Sequence, residues 1–342
     1  MKRNSTIILK GLLLAAVMVG GSRPAAAQTK TGTTVGQFLL VEPSARASGM
    51  GNAAVAVYGQ AESAFYNPGA VGQMQGSGVQ FTYSSWLAGI TYNYAVAALR
   101  LGGANTLIIS TTALNSGNID VRTVDRPEGT GEQYTVSDLA FGIGYARRLT
   151  DRFSAGLQAK YVQERIWHSS LTALALDFGV LYRLPFGSYL GASLSNFGSR
   201  GRYDGRDLRV RYDQDPDRNG DNSSLPAALV TKSYALPIIF RVGLGVPVRV
   251  NDYSRGLLVV DAAQPSDNTQ SLSLGTEWTF FDVFSIRGGY QQLFQKDSEL
   301  GLTLGSGINY NITSTFGVQL DYAWANHQSL GDIHRFTLGV TF

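Results

Sequence analysis

The sequence predicts an all-β fold, an antiparallel transmembrane β-barrel of about fourteen strands with an N-terminal hatch or plug segment. Three observations carry this. From about residue 77 onward apolar side chains alternate with a period of two. The alternating segments are long enough to cross a bilayer at a tilt. Every second connection between them is short.

The first element is a leader. Lys2, Arg3 and Lys10 precede the apolar run 11–20 (GLLLAAVMVG), and Ala25-Ala26-Ala27 stands before Gln28, the pattern of a secretory signal peptide spanning 1–27. Removing Lys2, Arg3, Lys10 and Arg23 from the formal charge of +3 leaves 3 − 4 = −1, so no basic surplus points to nucleic acid. The chain has no cysteine, so an exported fold must hold without disulfides.

The second element, 28–76, reads as an arm and hatch. Residues 42–74 are rich in Gly, Ala and Asn and lack a long amphipathic period. Small side chains with a few apolar anchors (Val55, Val57, Phe65, Tyr66) suit a lumen too narrow for bulky elements. Within SAFYNPGAVGQM, the hatch candidates are Phe65, Tyr66, Asn67, Pro68 and Gly69. Asn67-Pro68-Gly69 predicts a turn, with Pro68 fixing its own φ and Gly69 permitting a positive one.

The barrel occupies 77–342, with strands expected near 78–87, 89–101, 104–114, 134–149, 152–167, 171–184, 187–197, 237–250, 255–264, 269–281, 284–295, 299–310, 314–326 and 333–342. The dyad is clearest in the last segments, where Phe336, Leu338, Val340 and Phe342 oppose Arg335, Thr337, Gly339 and Thr341. Short turns at 101–105, 149–152, 184–187, 250–256, 280–283 and 311–315 alternate with connections that include the long polar stretches 115–133 and 198–236. Short periplasmic turns and longer external loops produce that parity. If apolar faces meet lipid, Asp138, Lys160, Asp177, Arg241, Asp261, Glu277, Arg287, Asp321 and Arg335 face inward as a lumen charge network. The strand ending on Phe342 has the form of an assembly signal read by the barrel assembly machinery, and the partners at the wall are outer-membrane lipids.

EPSARASGMGNAAVAV (42–57) followed by SAFYNPGAVGQM (63–74) resembles the N-terminal hatch of FadL-type barrels, more specifically that of the PorV/PorQ family. The blocks at 113–161, 193–198 (SLSNFG) and 204–208 (DGRDL) extend the likeness over nearly all the mature chain. The resemblance implies a fourteen-stranded outer-membrane barrel and a type IX secretion system role, binding exported proteins or other secretion-system proteins. Gly69-Ala70 stands where Ala-Gly is commoner in the family. The alternative it leaves open is a FadL-like channel for hydrophobic small molecules. A lipid channel needs a continuous apolar pocket, whereas the inward set reads as polar, which favours protein binding.

The longest loop carries two further signals. Arg206, Arg209 and Arg211 offer contacts to a partner. Asp215, Asp217 and Asn219 before Gly220 match the start of a calcium loop, but Pro226 stands where the bidentate Glu belongs, so this is a weak metal candidate. His168, His327 and His334 lie at loops or a rim with no nucleophile motif beside them, and AFGIGY at 140–145 lies inside a strand with no helix to follow. The sequence predicts no enzyme and no cofactor.

Overall fold

The computed structural model describes residues 30–215, 217, 224–295 and 298–342. The leader 1–27 and Asn219 of the calcium candidate lie outside the described residues. Among the described residues, fourteen strands close into one antiparallel barrel: β1 (Gly78–Ser85), β2 (Thr91–Arg100), β3 (Asn105–Asp120), β4 (Gln133–Arg148), β5 (Phe153–Ile166), β6 (Ser169–Arg183), β7 (Tyr189–Gly198), β11 (Ile239–Asn251), β12 (Ser254–Pro265), β13 (Ser271–Phe280), β14 (Phe284–Leu293), β15 (Leu300–Asn311), β16 (Gly317–His327) and β17 (Ile333–Thr341). The connection from β7 to β11 holds β8 (Asp204–Gly205), β9 (Arg209–Tyr212) and β10 (Leu225–Ala228). Strand β1 pairs with β17, with Phe81 opposite Leu338, so no edge is left open.

Alternation sets the register. On β1, Val79, Phe81 and Tyr83 are exposed to the surroundings while Gln80, Thr82 and Ser84 are buried in the lumen. On β4, Leu139, Phe141, Ile143 and Tyr145 form the outer column and Ala140 and Ala146 the inner one. A one-residue slip would exchange the two faces, so the lipid and the lumen together pin each pairing.

Two expectations need correction. The first long connection is not loop from 115, because β3 continues to Asp120 and β4 begins at Gln133. Above the apolar band water replaces lipid, so polar residues extend the ladder without the alternation that marks a strand. The ladder is offset between Asn115 and Asn118, where Gly117 takes φ 70° and donates to Asn115 Oδ1 at 2.7 Å. The second correction is at Asn67-Pro68-Gly69, which opens the short helix Pro68–Val71 rather than a turn. Asn67 Oδ1 caps it by accepting from Gly69 N at 2.9 Å, Pro68 occupies the first helical position, and Gly69 does not take a positive φ.

The hatch is built of four short helical pieces, Gln37–Leu40, Ala45–Gly49, Ser63–Tyr66 and Pro68–Val71. It runs down the lumen. Residues 34–37 sit at the long-loop end, where Thr34 Oγ1 donates to Asp267 Oδ2 at 2.5 Å and Gly36 N to Glu164 Oε1 at 2.7 Å. Ala45 N, Gly51 N and Val55 N then bond Thr337, Thr303 and Asp261 halfway down the wall. At the short-turn end Ser154 Oγ donates to Gly69 O at 2.7 Å, and Arg100 holds the carbonyls of Met74 and Gln75.

Candidate functional site: the hatch, its wall and the outer loops

The hatch meets the wall through backbone. A Cβ on Gly51 would stand 2.6 Å from Leu274 O and 2.8 Å from Tyr290 O, and one on Gly156 would stand 2.5 Å from the Pro68 carbonyl. Wall glycines 179, 191, 243, 275, 289 and 305 likewise press against hatch residues between Gly49 and Pro68. This explains Gly69, whose Cβ position is occupied by the Gly179 carbonyl. Asn67 fastens the contact, its Nδ2 donating to Val55 O and to Val180 O, each at 2.9 Å.

Ion pairs fix one side of the plug. Glu277 on β13 accepts from Arg46 Nη2 of the hatch at 2.6 Å and from Arg287 Nε at 2.7 Å, and Arg287 Nη1 donates to Asp321 at 2.7 Å. Arg287 and Asp321 side chains are wholly buried. Arg335 Nη1 donates to Ser48 Oγ at 2.9 Å beside the Trp86 ring, Arg241 reaches Glu42 at 3.4 Å, and Asp261 accepts from Val55 N at 2.8 Å. Lys160 pairs with Asp177 at 2.8 Å and bonds Asn196, away from this group. Asp138 is half-buried opposite Glu164 with no ion pair. The nine inward candidates therefore do not form one network. Several of them serve the hatch.

Sequence reasoning missed Glu42, Arg46 and Glu62, yet these are the only charged residues in 42–74. In a segment meant for a charged lumen, its few charges should meet opposite ones on the wall. Glu62 is the exception. It accepts from Ser44 Oγ at 2.6 Å and its Oε2 has no partner. Burial, with Asp321 adding repulsion, pushes its carboxyl up to about 7, against the lowering by Ser44, Arg46 and Arg287.

The opposite side of the lumen is apolar, which corrects the polar reading of the inward face. Tyr92, Tyr94, Val96 and Ala98 of β2 and Ile108 of β3 point inward and pack on Ala61, Ala64, Val71 and Met74. Phe65 sits edge-on to Tyr66 at 5.2 Å and to Tyr94 at 5.9 Å. Tyr92 Oη donates to Val41 O at 2.7 Å, while Tyr66 Oη is buried without a partner. Above them Val162, Leu171, Ala173 and Ala175 enclose Phe38 and Leu39. A polar cavity of about 140 Å³ lies at the long-loop mouth, lined by Gln37, Glu42, Asn52, Arg241, Asp261 and Asp267 among others. A separate groove of about 490 Å³ lies on the outer wall between Phe141, Tyr161, Leu174, Leu176 and Phe197. There the β6–β7 pairing shifts, and Asn196 takes φ 63°.

In the outer loops, Arg206 is engaged: its Nη2 stands 2.7 and 3.0 Å from the two ring nitrogens of His168, whose Nδ1 is 2.9 Å from Asp207. Trp167 stacks on that imidazole at 4.6 Å. Arg209 and Arg211 lie on β9, exposed and without an ion pair among the described residues. Asp215 lies near them with its backbone N–H on Asp213 Oδ1 at 3.1 Å, and Pro226 is on β10 facing Arg211. His327 closes the tip after β16, and His334 stacks on Tyr322 on the outer face. Phe342 lies at the closing seam, where its N–H and C=O both pair with Ser77.

Residues 24–180, reaching from the leader's end through the hatch into β6, match the family described as type IX secretion system protein PorV. Over that segment the chain is similar to the PorV family, and its fold is that of a FadL-like outer-membrane barrel. In structure it is similar to a Pseudomonas aeruginosa FadL homologue (TM-score 0.55, 11% identity, 88% of this chain and 98% of that one). It is similar also to the CymD monoaromatic hydrocarbon channel (TM-score 0.56, 13% identity, 89% and 98%) and to the Ralstonia pickettii toluene transporter TbuX (TM-score 0.50, 10% identity, 86% and 96%). At such identities the likeness extends to the fold alone. No curated protein matches its sequence.

Proposed function

We propose that this barrel works from its external side in type IX secretion, binding exported proteins or other secretion-system proteins through the long β7–β11 connection. The observation that carries the reading is the β9–β10 ribbon, a two-stranded sheet with almost every residue in solvent. A ribbon of that size is marginal alone. It offers Val210 and Tyr212 as apolar contacts, Arg209 and Arg211 as exposed charges, and an open edge to an incoming strand. The PorV-family match supports the same role. Replacing Arg209 and Arg211 by Ser is expected to impair release or surface attachment of secreted proteins while leaving barrel abundance and uptake of a labelled fatty acid unchanged. Normal secretion in that variant would sink the reading. Arg206 belongs in a separate variant because it organises the loop through His168.

A second reading, a FadL-like channel for hydrophobic molecules, draws on the apolar side of the lumen and the groove beside the β7 shift. Lost fatty-acid uptake in a deletion strain, with secretion intact, would promote it. Both readings place the long loops outside the cell: a tag near Gly129 should be reached by antibody on intact cells and one at Asp252 should not.

A further inference from the structure

Buried carboxylates of the barrel fall into two groups. Asp177 accepts from Asn196 N and Lys160, Glu164 from Gly36 N and Tyr203 Oη, Glu277 from Arg46 and Arg287, and Asp321 from Arg287 and Gln319, so both oxygens of each are taken. Asp261 and Asp267 differ. Asp261 Oδ2 accepts from Val55 N at 2.8 Å, and Asp267 Oδ2 accepts from Thr34 Oγ1 at 2.5 Å and Gln37 Nε2 at 2.6 Å. Oδ1 of each has no partner among the described residues. Both carboxylates line the polar cavity at the long-loop mouth.

Asn52 of the hatch brings a third open acceptor to the same cavity. Its Nδ2 donates to Gln291 Oε1 at 2.7 Å, and its Oδ1 is left without a partner. Asn52, Asp261 and Asp267 are only 8%, 4% and 4% exposed, so bulk water reaches these oxygens poorly and each gains from a donor placed in the cavity. The charge there has one predominant sign. Glu42, Asp261 and Asp267 face a single cation among the lining residues, Arg241, whose Nη2 lies 3.4 Å from Glu42. A ligand for this space must therefore bring donors and positive charge. Ammonium groups have three N–H donors and no acceptor. Among the described residues no three Asp, Glu or His side chains are grouped to hold a metal ion. Asp261 lies within β12 and Asp267 beyond its end, so the positive charge is wanted at two points rather than one. Leu40, Ile239 and Ala263 give the cavity an apolar lining for a short carbon chain.

We propose that this cavity binds a linear aliphatic diamine, one ammonium at Asp267 and the other toward Asn52 and Asp261. Charge-assisted hydrogen bonds from each ammonium to a carboxylate oxygen supply the affinity, and the distance between the two acceptor groups supplies the selection for a ligand charged at both ends. The cavity shares no residue with the β9–β10 ribbon, so it stands or falls apart from the proposed partner contacts.

The test is isothermal titration of the full folded barrel in detergent, at neutral pH and low salt, with putrescine, butylamine and butanediol. Putrescine is expected to bind, butylamine to bind roughly tenfold more weakly for want of one charged hydrogen-bonded end, and butanediol not to bind. D267N retains an acceptor for Thr34 and Gln37 and should bring putrescine down to about the level of butylamine, a roughly tenfold loss. A263L fills the space without altering a charge and should abolish binding, whereas R122Q/R126Q in an outer loop should leave it intact. Equal binding of putrescine and butylamine by the wild type would overturn the proposal, as would no binding at millimolar putrescine or undiminished binding by A263L. Displacement of putrescine by calcium ion would make this a metal site instead, and tighter binding of a lysine-containing tripeptide would make it a socket for a protein side chain; either would overturn the diamine assignment. Protease protection of the hatch is followed in each variant. Should D267N or A263L unseat the hatch, the ratio of putrescine to butylamine affinity in the wild type decides.

Discussion

The two sides of the lumen hold the same hatch by opposite means. On the β13–β17 side, Arg46, Glu277, Arg287 and Asp321 form a buried chain of charge-assisted hydrogen bonds, and each group is needed by the next. On the β2–β6 side, Tyr92, Val96, Ile108, Val162 and Leu171 close over the hatch as an ordinary apolar core. The difference is one of tolerance. An apolar wall loses stability in proportion to what is trimmed from it, whereas a buried ionic wall fails when one member is removed, because its partners are left charged and dry. The charged side thus specifies where the hatch sits, and the apolar side seals it.

The largest expected effect is on the ionic side. Arg287→Ala leaves Glu277 with Arg46 alone and Asp321 with no cation, at a cost of roughly 3–5 kcal/mol. The expected outcome is a hatch open to added protease and a lower temperature for loss of the heat-modifiable gel band. A protected hatch and an unchanged transition would mean that the ionic side is not what positions it.

Next comes the backbone contact common to both sides. Gly51 combines φ 66° with two carbonyls where a Cβ would fall, whereas Gly59 has φ 94° and open space around it. Gly51→Ala should displace the hatch and raise single-channel conductance in a planar bilayer. Gly59→Ala should cost only the conformational part, about 1–2 kcal/mol, with conductance unchanged. Equal behaviour of the two variants would remove steric seating from the account. On the apolar side Ile108→Val should cost about 0.5–1.5 kcal/mol and leave the hatch protected. A hatch released by that single methylene would erase the contrast in tolerance.

How much of this was legible beforehand follows from the same contrast. The strands, their order and the short turns could be read because lipid imposes apolarity on every second residue regardless of what lies inside. The inward charges Glu277, Arg287 and Asp321 could be assigned to the lumen for the same reason. The apolar inner face of β2 could not, since Tyr92, Tyr94 and Val96 are no less apolar than the outward Ala95 and Ala97, and only the hatch's presence explains them. The helix at Pro68 was hidden for a local reason: Asn-Pro-Gly favours a turn, and the decision falls to Gly179 and Val180 of β6, more than a hundred residues away. The role of Arg206 was equally non-local, because His168 reaches it across 38 positions of sequence.

The last expected effect is one of pH and concerns Glu62, the hatch charge that neither side neutralises. Ser44 and Arg46 face it from the hatch, Gln80 from β1, Arg287 from β14 and Asp321 from β16. Its carboxyl titrates near 7 in the folded protein against an ordinary 4.5, so between those values the folded state holds more protons than the unfolded one. Seating of the hatch is therefore strongest below about pH 4.5 and weakens as pH rises toward 7. Protease protection of the hatch, followed from pH 5 to pH 8, should fall in the wild type. Glu62→Gln keeps the Ser44 contact without a charge and should make the fall shallower, exceeding the wild type at pH 8. Parallel slopes for the two proteins would show that the ionic side already absorbs this carboxylate, and the division of labour between the two walls would then be less complete than their side chains indicate.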